Sequence, residues 1–390
     1  MSKPSCKPKS PHFSSGPCKK FPGWSFDILK NAALSRSHRN GIGYEKLIQT
    51  IKKTRSLLRL PDDFKLALTP ASCTGAMDMA LWNLLGSRGV DSLAFDVFGW
   101  RWSNEITKHM RLKDTHIFDA PFGQLPDLSQ IDAQRRDVVF PWNATTSGVA
   151  IPNADWIPET REGLIFCDAT SAALAYDLPW SKLDAVAFSW QKVLGGEAAH
   201  GMLALSPRAL YQLQKQLPPW PMPFTIQLTK DTETLGAPGA VKEELFTGGV
   251  LNTPSLMCVE DWLVALDWAE NLGGLPALIR KTDENAAIIW DWVETRDWLV
   301  NLAIDRSTWS RTSICLKFND PKLQALSEKE TWSLVVRFCQ LLEKENVAYD
   351  IKGHVWAKPC IRIWCGPTVE ADDLQALLPW LDWAYEEIMK

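Results

Sequence analysis

The residues that first suggest chemistry lie in DAVAFSWQKVLGGEAAHGML, residues 184–203. An apolar run stops at Ser-Trp-Gln, Lys192 follows, and Gly195 and Gly196 come just after. A lysine at a strand end is ordinarily a solvated charge. Here its neighbours are apolar or small, and burial among them lowers an amine's pKa because it disfavours the ammonium form. A neutral amine attacks aldehydes and forms a Schiff base. The two glycines are expected to leave room for a flat cofactor.

If that cofactor is pyridoxal phosphate, three further features are needed. Its ring nitrogen needs an acid partner so that the ring can act as an electron sink. Asp168 closes the apolar run GLIFCD, one loop and one strand before Lys192, which brings both to one sheet edge. Asp168 also suits a helix N-cap. The phosphate needs N–H donors, and TPASCTGAMDMAL (69–81) reads as strand, tight turn and helix start. Unpaired N–H groups and the positive helix end attract anions there, with Ser72 and Thr74 offering hydroxyls. The ring needs a flat partner, and FGWRWSNEI offers Trp100 and Trp102, of which Trp102 is preferred.

These residues need a frame. The 390-residue chain is 46% hydrophobic and 23% charged, a soluble globular profile long enough for two domains. The division expected is an extended arm over 1–20, a large cofactor-binding α/β domain over 21–258 and a small α+β domain over 259–390. A net charge of −4 gives no field favouring nucleic acid. No apolar run reaches membrane-spanning length. The N-terminus has lysines but no apolar signal core, and the nine cysteines are never spaced C-x-x-C. Both point to reduced thiols and a cytoplasmic location. The six histidines do not group at metal-ligand spacing, so no metal is expected. Neither G-x-S-x-G nor a phosphate-binding glycine motif occurs.

Strands are expected at 64–69, 91–96, 137–142, 163–168, 185–190 and 201–206. They alternate with helices such as the one whose stripe is Met77, Ala80, Leu81 and Leu84, implying a mostly parallel sheet covered on both faces. Residues 1–20 read as a flexible terminus, and 213–250 as a long loop serving a site or an interface. Helices follow at 255–272, 276–295, 327–345 and 370–388, with strands at 299–305, 312–318, 347–351 and 360–364. Most of the 20 tryptophans read as core, as where Trp262, Leu266 and Ala269 share a helix face. Cys360 and Cys365 read as packing.

Taken in order, FSSGPCKKFPGW, SRSHR, PASCTGAMDMALW, WNATTSGV, CDATSAA, FSWQKVLGGEAAHG and LNTPS resemble the phosphoserine aminotransferases, with weaker likeness through KGHVWAKPCIRIWCGP. These are class V aminotransferases of the fold-type I pyridoxal phosphate enzymes. The resemblance implies a mostly parallel seven-stranded sheet with flanking helices, plus a smaller C-terminal α+β domain. It implies that Lys192 bears the cofactor and shuttles a proton, that Asp168 pairs with the ring nitrogen, that Trp102 stacks on the ring, and that Thr145 bonds its phenolic oxygen or edge. Cys73 and Thr74 would give N–H groups to the phosphate, joined by Gln191. Asn252 and Thr253 would reach that phosphate from the partner subunit of a homodimer. Ser15, His38 and Arg39 would hold substrate, the last two from the neighbouring subunit, and Arg362 would clamp an α-carboxylate.

The implied reaction is ping-pong transamination between L-glutamate and 3-phosphohydroxypyruvate, giving 2-oxoglutarate and O-phospho-L-serine. It would feed serine synthesis and, in some bacteria, pyridoxine synthesis. Where a better-known branch of the family carries two arginines, this chain has Val355 and Thr74. The distal phosphate would then rest on His354, Lys358 or Arg101. Other readings are an alanine–glyoxylate-type aminotransferase and a non-catalytic cofactor-binding homologue whose basic arm binds a partner. A cysteine desulfurase is disfavoured, because Trp190 and Gln191 precede the lysine and the late cysteines sit in packed-looking elements.

Overall fold

A computed structural model of the chain describes residues 2–215, 218–230, 239–323 and 325–390. Its strands are β1 (Lys65–Pro70), β2 (Val90–Ala94), β3 (Thr115–Asp119), β4 (Asp137–Pro141), β5 (Asn143–Ala144), β6 (Val149–Ala150), β7 (Ile165–Asp168), β8 (Ala185–Ser189), β9 (His200–Leu205), β10 (Leu299–Asn301), β11 (Ser313–Phe318) and β12 (Ile361–Trp364). Its α-helices are α1 (Gly41–Leu58), α2 (Ser72–Leu84), α3 (Val97–Asn104), α4 (Pro207–Lys215), α5 (Leu256–Leu272), α6 (Gly274–Val293), α7 (Glu328–Lys344) and α8 (Ala371–Ile388).

Seven strands form one sheet in the order β1-β9-β8-β7-β4-β2-β3. It is parallel from β8 through β3, and β9 runs antiparallel to both β1 and β8. Successive side chains of a strand point to opposite faces. The sequence fills both: Val138, Phe140, Val186 and Phe188 enter one core, while Val139, Phe166, Ala185 and Ala187 enter the other. Helices α2, α3 and α4 cover the second face, and α1, α5 and α6 the first. This is why the strands read as continuous apolar runs. The edge strand β3, THIFD, is half exposed and lacks such a run, so composition gave no sign of it.

A second, antiparallel sheet of β10, β11 and β12 packs with α6, α7 and α8. The strand expected over 347–351 does not form; Tyr349 makes only an isolated bridge to His12. The strand expected at 299–305 ends at Asn301. Within the stretch 213–250, residues 216–217 and 231–238 lie outside the described residues. The rest holds two short 3-10 turns, Phe224–Ile226 and Glu243–Phe246, and a bridge between Thr229 and Val241.

The N-terminal arm holds no helix or strand among its described residues, yet it is not a free tail. Phe13 and Ser15 are fully buried. The Tyr349 N–H donates to the Pro11 carbonyl at 2.8 Å, and the Trp364 N–H to the Phe13 carbonyl at 3.0 Å. Lys20 Nζ and Trp24 Nε1 donate to the Asp261 carboxylate at 2.7 and 2.9 Å. The arm also explains the glycines after Lys192, which do not clear space for a cofactor. Gly195 has φ +66°, and a Cβ there would lie 2.0 Å from the Lys19 carbonyl oxygen. A Cβ on Gly196 would press on Trp262 and Trp190 at 3.0 and 3.1 Å.

Gly195→Ala therefore combines backbone strain with a clash against the arm and should cost about 2–3 kcal/mol. Gly23, at φ +87° with nothing within 4 Å of its Cβ position, is the control. Gly23→Ala should cost about 1 kcal/mol, the strain alone. Equal losses in denaturation midpoint for the two variants would contradict this account.

Candidate active site

The cavity opens at the carboxyl ends of the parallel strands, where ligands of open α/β sheets bind. In register, Asp168 of β7 faces Ala187 of β8, and Lys192 follows the end of β8 directly. Both side chains line one cavity with Trp102, Thr145, Gln191 and the first turn of α2.

Lys192 is buried, and its Nζ donates to the Ser15 carbonyl oxygen of the arm. A Cβ on Gly16 would lie 2.8 Å from that nitrogen, so only glycine leaves the lysine its place. Burial lowers the Lys192 pKa to about 8; the Arg362 guanidinium adds to this, and the carboxylates of Asp168 and Asp96 oppose it. Cys18, behind the same amine, is pushed up to about 12 by burial and stays a thiol.

Asp168 ends β7 in a turn, not at a helix cap. Its Oδ1 accepts from the Thr170 N–H (3.0 Å), the Thr170 hydroxyl (2.7 Å) and the Cys73 thiol (3.3 Å). Its Oδ2 accepts only from Trp102 Nε1, at 3.1 Å, which leaves lone-pair capacity for a ring N–H in the cavity. Trp102 is buried against the cavity, whereas Trp100 is exposed.

Helix α2 begins beside the cavity, so the unpaired N–H groups of its first turn, including those of Cys73 and Thr74, are available to an anion. Gly201 on β9 permits this approach: a Cβ there would meet the Ser72 carbonyl oxygen at 2.2 Å. The Gln191 side-chain oxygen is buried with no hydrogen-bond partner, as suits an amide that meets a polar ligand. An acid partner for a ring nitrogen, an anion-binding turn, an indole wall and a depressed amine in one cavity fit pyridoxal phosphate.

Thr145 donates to Ser171 Oγ at 2.9 Å, and Asn143 donates to the same hydroxyl at 2.9 Å and to Thr312 Oγ1 at 3.1 Å. Ser313, on β11, donates to the Thr145 carbonyl at 2.9 Å, and its oxygen accepts from the Ser15 hydroxyl at 3.0 Å. This network joins the two sheets and the arm around the cavity. Asp96 belongs to the site too, and sequence reasoning missed it. It caps α3, accepting from the Phe98 and Gly99 N–H groups at 2.9 and 2.8 Å and from the Thr146 hydroxyl at 2.9 Å. Burial raises its pKa. The capping position was legible from Asp-Val-Phe before a helix; its place on the cavity wall was not.

Arg362 and His354 line an adjoining cleft between the arm and the second sheet. Arg362 lies on β12 opposite Cys315, and its Nε is buried without a partner. Burial, helped by the nearby Arg362 and Lys192 charges, lowers the His354 pKa. His38, Arg39, Asn252 and Thr253 do not line the cavity or the cleft; Arg39, Asn252 and Thr253 are exposed. Lys358 pairs with Glu328 at 2.6 Å, and Arg101 sits over the Trp102 ring at 5.7 Å from its centroid. Burial raises the thiol pKa values of Cys339 and Cys365. Among the described residues no group of His, Cys, Asp or Glu could hold a metal, and no helix is long and apolar enough to cross a membrane.

No family model matches the chain. A phosphoserine aminotransferase of Methanosarcina barkeri is 49% identical over 383 residues, covering 98% of this chain and 99% of the relative. A solved phosphoserine aminotransferase from Cytophaga hutchinsonii superposes with a TM-score of 0.77 at 21% identity, covering 95% of this chain and 98% of that one. A phosphoserine aminotransferase from Trichomonas vaginalis, solved with pyridoxal phosphate bound, gives 0.74 at 17% identity over 96% of this chain and 100% of that one.

The depressed amine has a measurable consequence. Only the neutral amine attacks an aldehyde, so the rate at which the apoprotein takes up pyridoxal phosphate covalently should rise with pH and level off above about 8. Arg362→Gln removes a positive neighbour and should move that midpoint up; Asp168→Asn removes a negative one and should move it down. A midpoint near the ordinary lysine value of 10.5 would contradict the site geometry.

Proposed function

This chain belongs to the phosphoserine aminotransferase family, and we propose that it transfers the amino group of L-glutamate to 3-phosphohydroxypyruvate with Lys192 holding pyridoxal phosphate. The observation that carries this reading is the meeting of Lys192 and Asp168, at adjacent strand ends, in one cavity that also receives the first turn of α2. When bound, pyridoxal phosphate supplies an aldehyde and an electron-poor ring that accepts the electron pair released at a substrate α-carbon.

The chain's own residues do the rest. The Asp168 carboxylate keeps the ring nitrogen protonated, fixed by the four hydrogen bonds that hold it. Trp102 forms a wall against the ring, and Thr145 bonds its edge. The N–H groups of Cys73 and Thr74, with Gln191, hold the phosphate. Lys192 Nζ takes and returns the proton at the substrate α-carbon, a task suited to an amine whose pKa lies near 8. Arg362, whose Nε lacks a partner in the protein, clamps the α-carboxylate, with Ser15 beside it. The amine donor leaves as 2-oxoglutarate and the acceptor as O-phospho-L-serine, in ping-pong order. In the cell this serves serine biosynthesis, with pyridoxine synthesis a further role.

The half-buried His38 and the exposed Arg39, Asn252 and Thr253 fit a homodimer in which each subunit completes the other's site: the first two for the substrate's distal anion, the last two for the cofactor phosphate. His354 is the same-chain candidate for the distal anion. We further propose a cytoplasmic location and a division into an arm (1–20), a cofactor-binding domain (21–258) and a small domain (259–390).

A coupled assay with glutamate and 3-phosphohydroxypyruvate tests the reaction. Lys192→Ala should lower kcat by about 10²–10⁴-fold. Undetectable phosphoserine from the unmutated enzyme would remove the substrate assignment. Arg362→Gln should raise KM for glutamate by about 10–100-fold, the worth of a charged hydrogen bond. The shared site is tested by co-expressing Lys192→Ala with Arg39→Ala. Mixed dimers keep one intact site and should regain activity that neither variant has alone, whereas sites confined to single chains would regain none.

A further inference from the structure

The arm touches Lys192 at its turn, yet the arm has no secondary structure of its own to hold that turn in place. Beside the backbone bonds to Pro11 and Phe13, one carboxylate grips the arm on both sides of that turn. Asp373, in the first turn of α8, is buried, at 3% exposure. Its Oδ1 accepts from the Lys9 N–H at 2.7 Å and the Ser10 N–H at 3.2 Å. Its Oδ2 accepts from Lys19 Nζ at 3.0 Å. One side chain thus grips the arm on both sides of residues 11–18 and closes them into a loop.

The arm's contacts with the amine all lie inside that loop. The Ser15 carbonyl receives Lys192 Nζ, and Ser15 Oγ meets Ser313 at 3.0 Å. Gly16 lies against the lysine's end, and the Cys18 N–H donates to the Gln191 carbonyl at 2.8 Å. A loop with both ends pinned at one point has far fewer conformations than an arm pinned at one end.

We propose that Asp373 is a positioning residue for Lys192: by closing the arm into a loop it fixes the Ser15 carbonyl on which the lysine's amine rests when it is not bound to the cofactor. The proposal rests on the reading of Lys192 given above. Arg362 is carried by β12 and is held in place by its sheet rather than by this loop. Loosening the loop therefore disturbs the proton-moving amine and the Ser15 contact, and leaves the charged clamp of Arg362 in place. The signature is a loss in kcat that exceeds any rise in KM for glutamate, with cofactor content preserved, which a general loss of stability would not produce.

The test compares Asp373→Leu, Asp373→Asn and Lys19→Met in the cofactor-loaded enzyme. Asp373→Leu removes every acceptor and should lower kcat about tenfold or more, since small misplacements of a reacting group carry penalties of up to about 10². Asp373→Asn keeps an acceptor for the two N–H groups but loses the ion pair, and Lys19→Met loses only the ion pair. Each should lower kcat about threefold, and this partial rescue carries the test if the leucine variant does not fold. Wild-type kcat in the two milder variants overturns the proposal, as does a loss of kcat that follows cofactor content or is matched by a proportional rise in KM. If Lys192→Ala still transaminates, the underlying reading of Lys192 has failed instead, a result that these variants do not mimic.

Discussion

The structure is organised around one buried amine. An ammonium removed from water is costly unless paired, and among the described residues no carboxylate makes an ion pair with Lys192. Its proton is held by a carbonyl oxygen, that of Ser15, while the Asp168 and Asp96 carboxylates act at longer range and Arg362 acts against them. The balance brings the amine's pKa down to about 8, so that a working fraction is neutral near physiological pH and can both attack a carbonyl carbon and move a proton. A carboxylate in direct contact would have held the charge and left the amine inert.

That balance asks for elements far apart in the chain. The main sheet brings Asp168 and Lys192 together, because β7 and β8 are parallel neighbours whose carboxyl ends share an edge. The second sheet brings Arg362 and Ser313, and the arm brings Ser15 and Gly16. The Thr145–Ser171–Asn143–Thr312 hydrogen bonds tie these parts together beneath the cavity. Buried polar groups are expensive when left unpaired, so this network is satisfied by protein partners, while Gln191 and Arg362 each retain an unpaired atom toward the ligand side.

The parts legible in the sequence were those with local causes. Buried parallel strands show as apolar runs, so six strands of the main sheet could be placed within a residue or two, and Lys192 and Asp168 stood at the ends of two of them. The edge strand β3 was not legible, because its exposed side removes the run that betrays the others. Gly195 and Gly196 were read as leaving room for the wrong neighbour: their close contacts are the Lys19 carbonyl, the Trp262 indole and the Trp190 Cβ, not a cofactor. The arm looked flexible because nothing within its own residues orders it. Its partners, Asp261, Tyr349, Trp364 and Asp373, come from distant helices and strands. Asp96 was read only as the end of a strand; its place on the cavity wall depends on how α3 lies across β2 and β4.

The most direct test of the central claim is chemical trapping at Lys192. Borohydride treatment of the pyridoxal phosphate-loaded protein, followed by proteolysis and peptide mapping, should give one pyridoxyl-labelled peptide, with the label on residue 192. A label on any other lysine, or none under conditions where the cofactor is bound, would contradict the account.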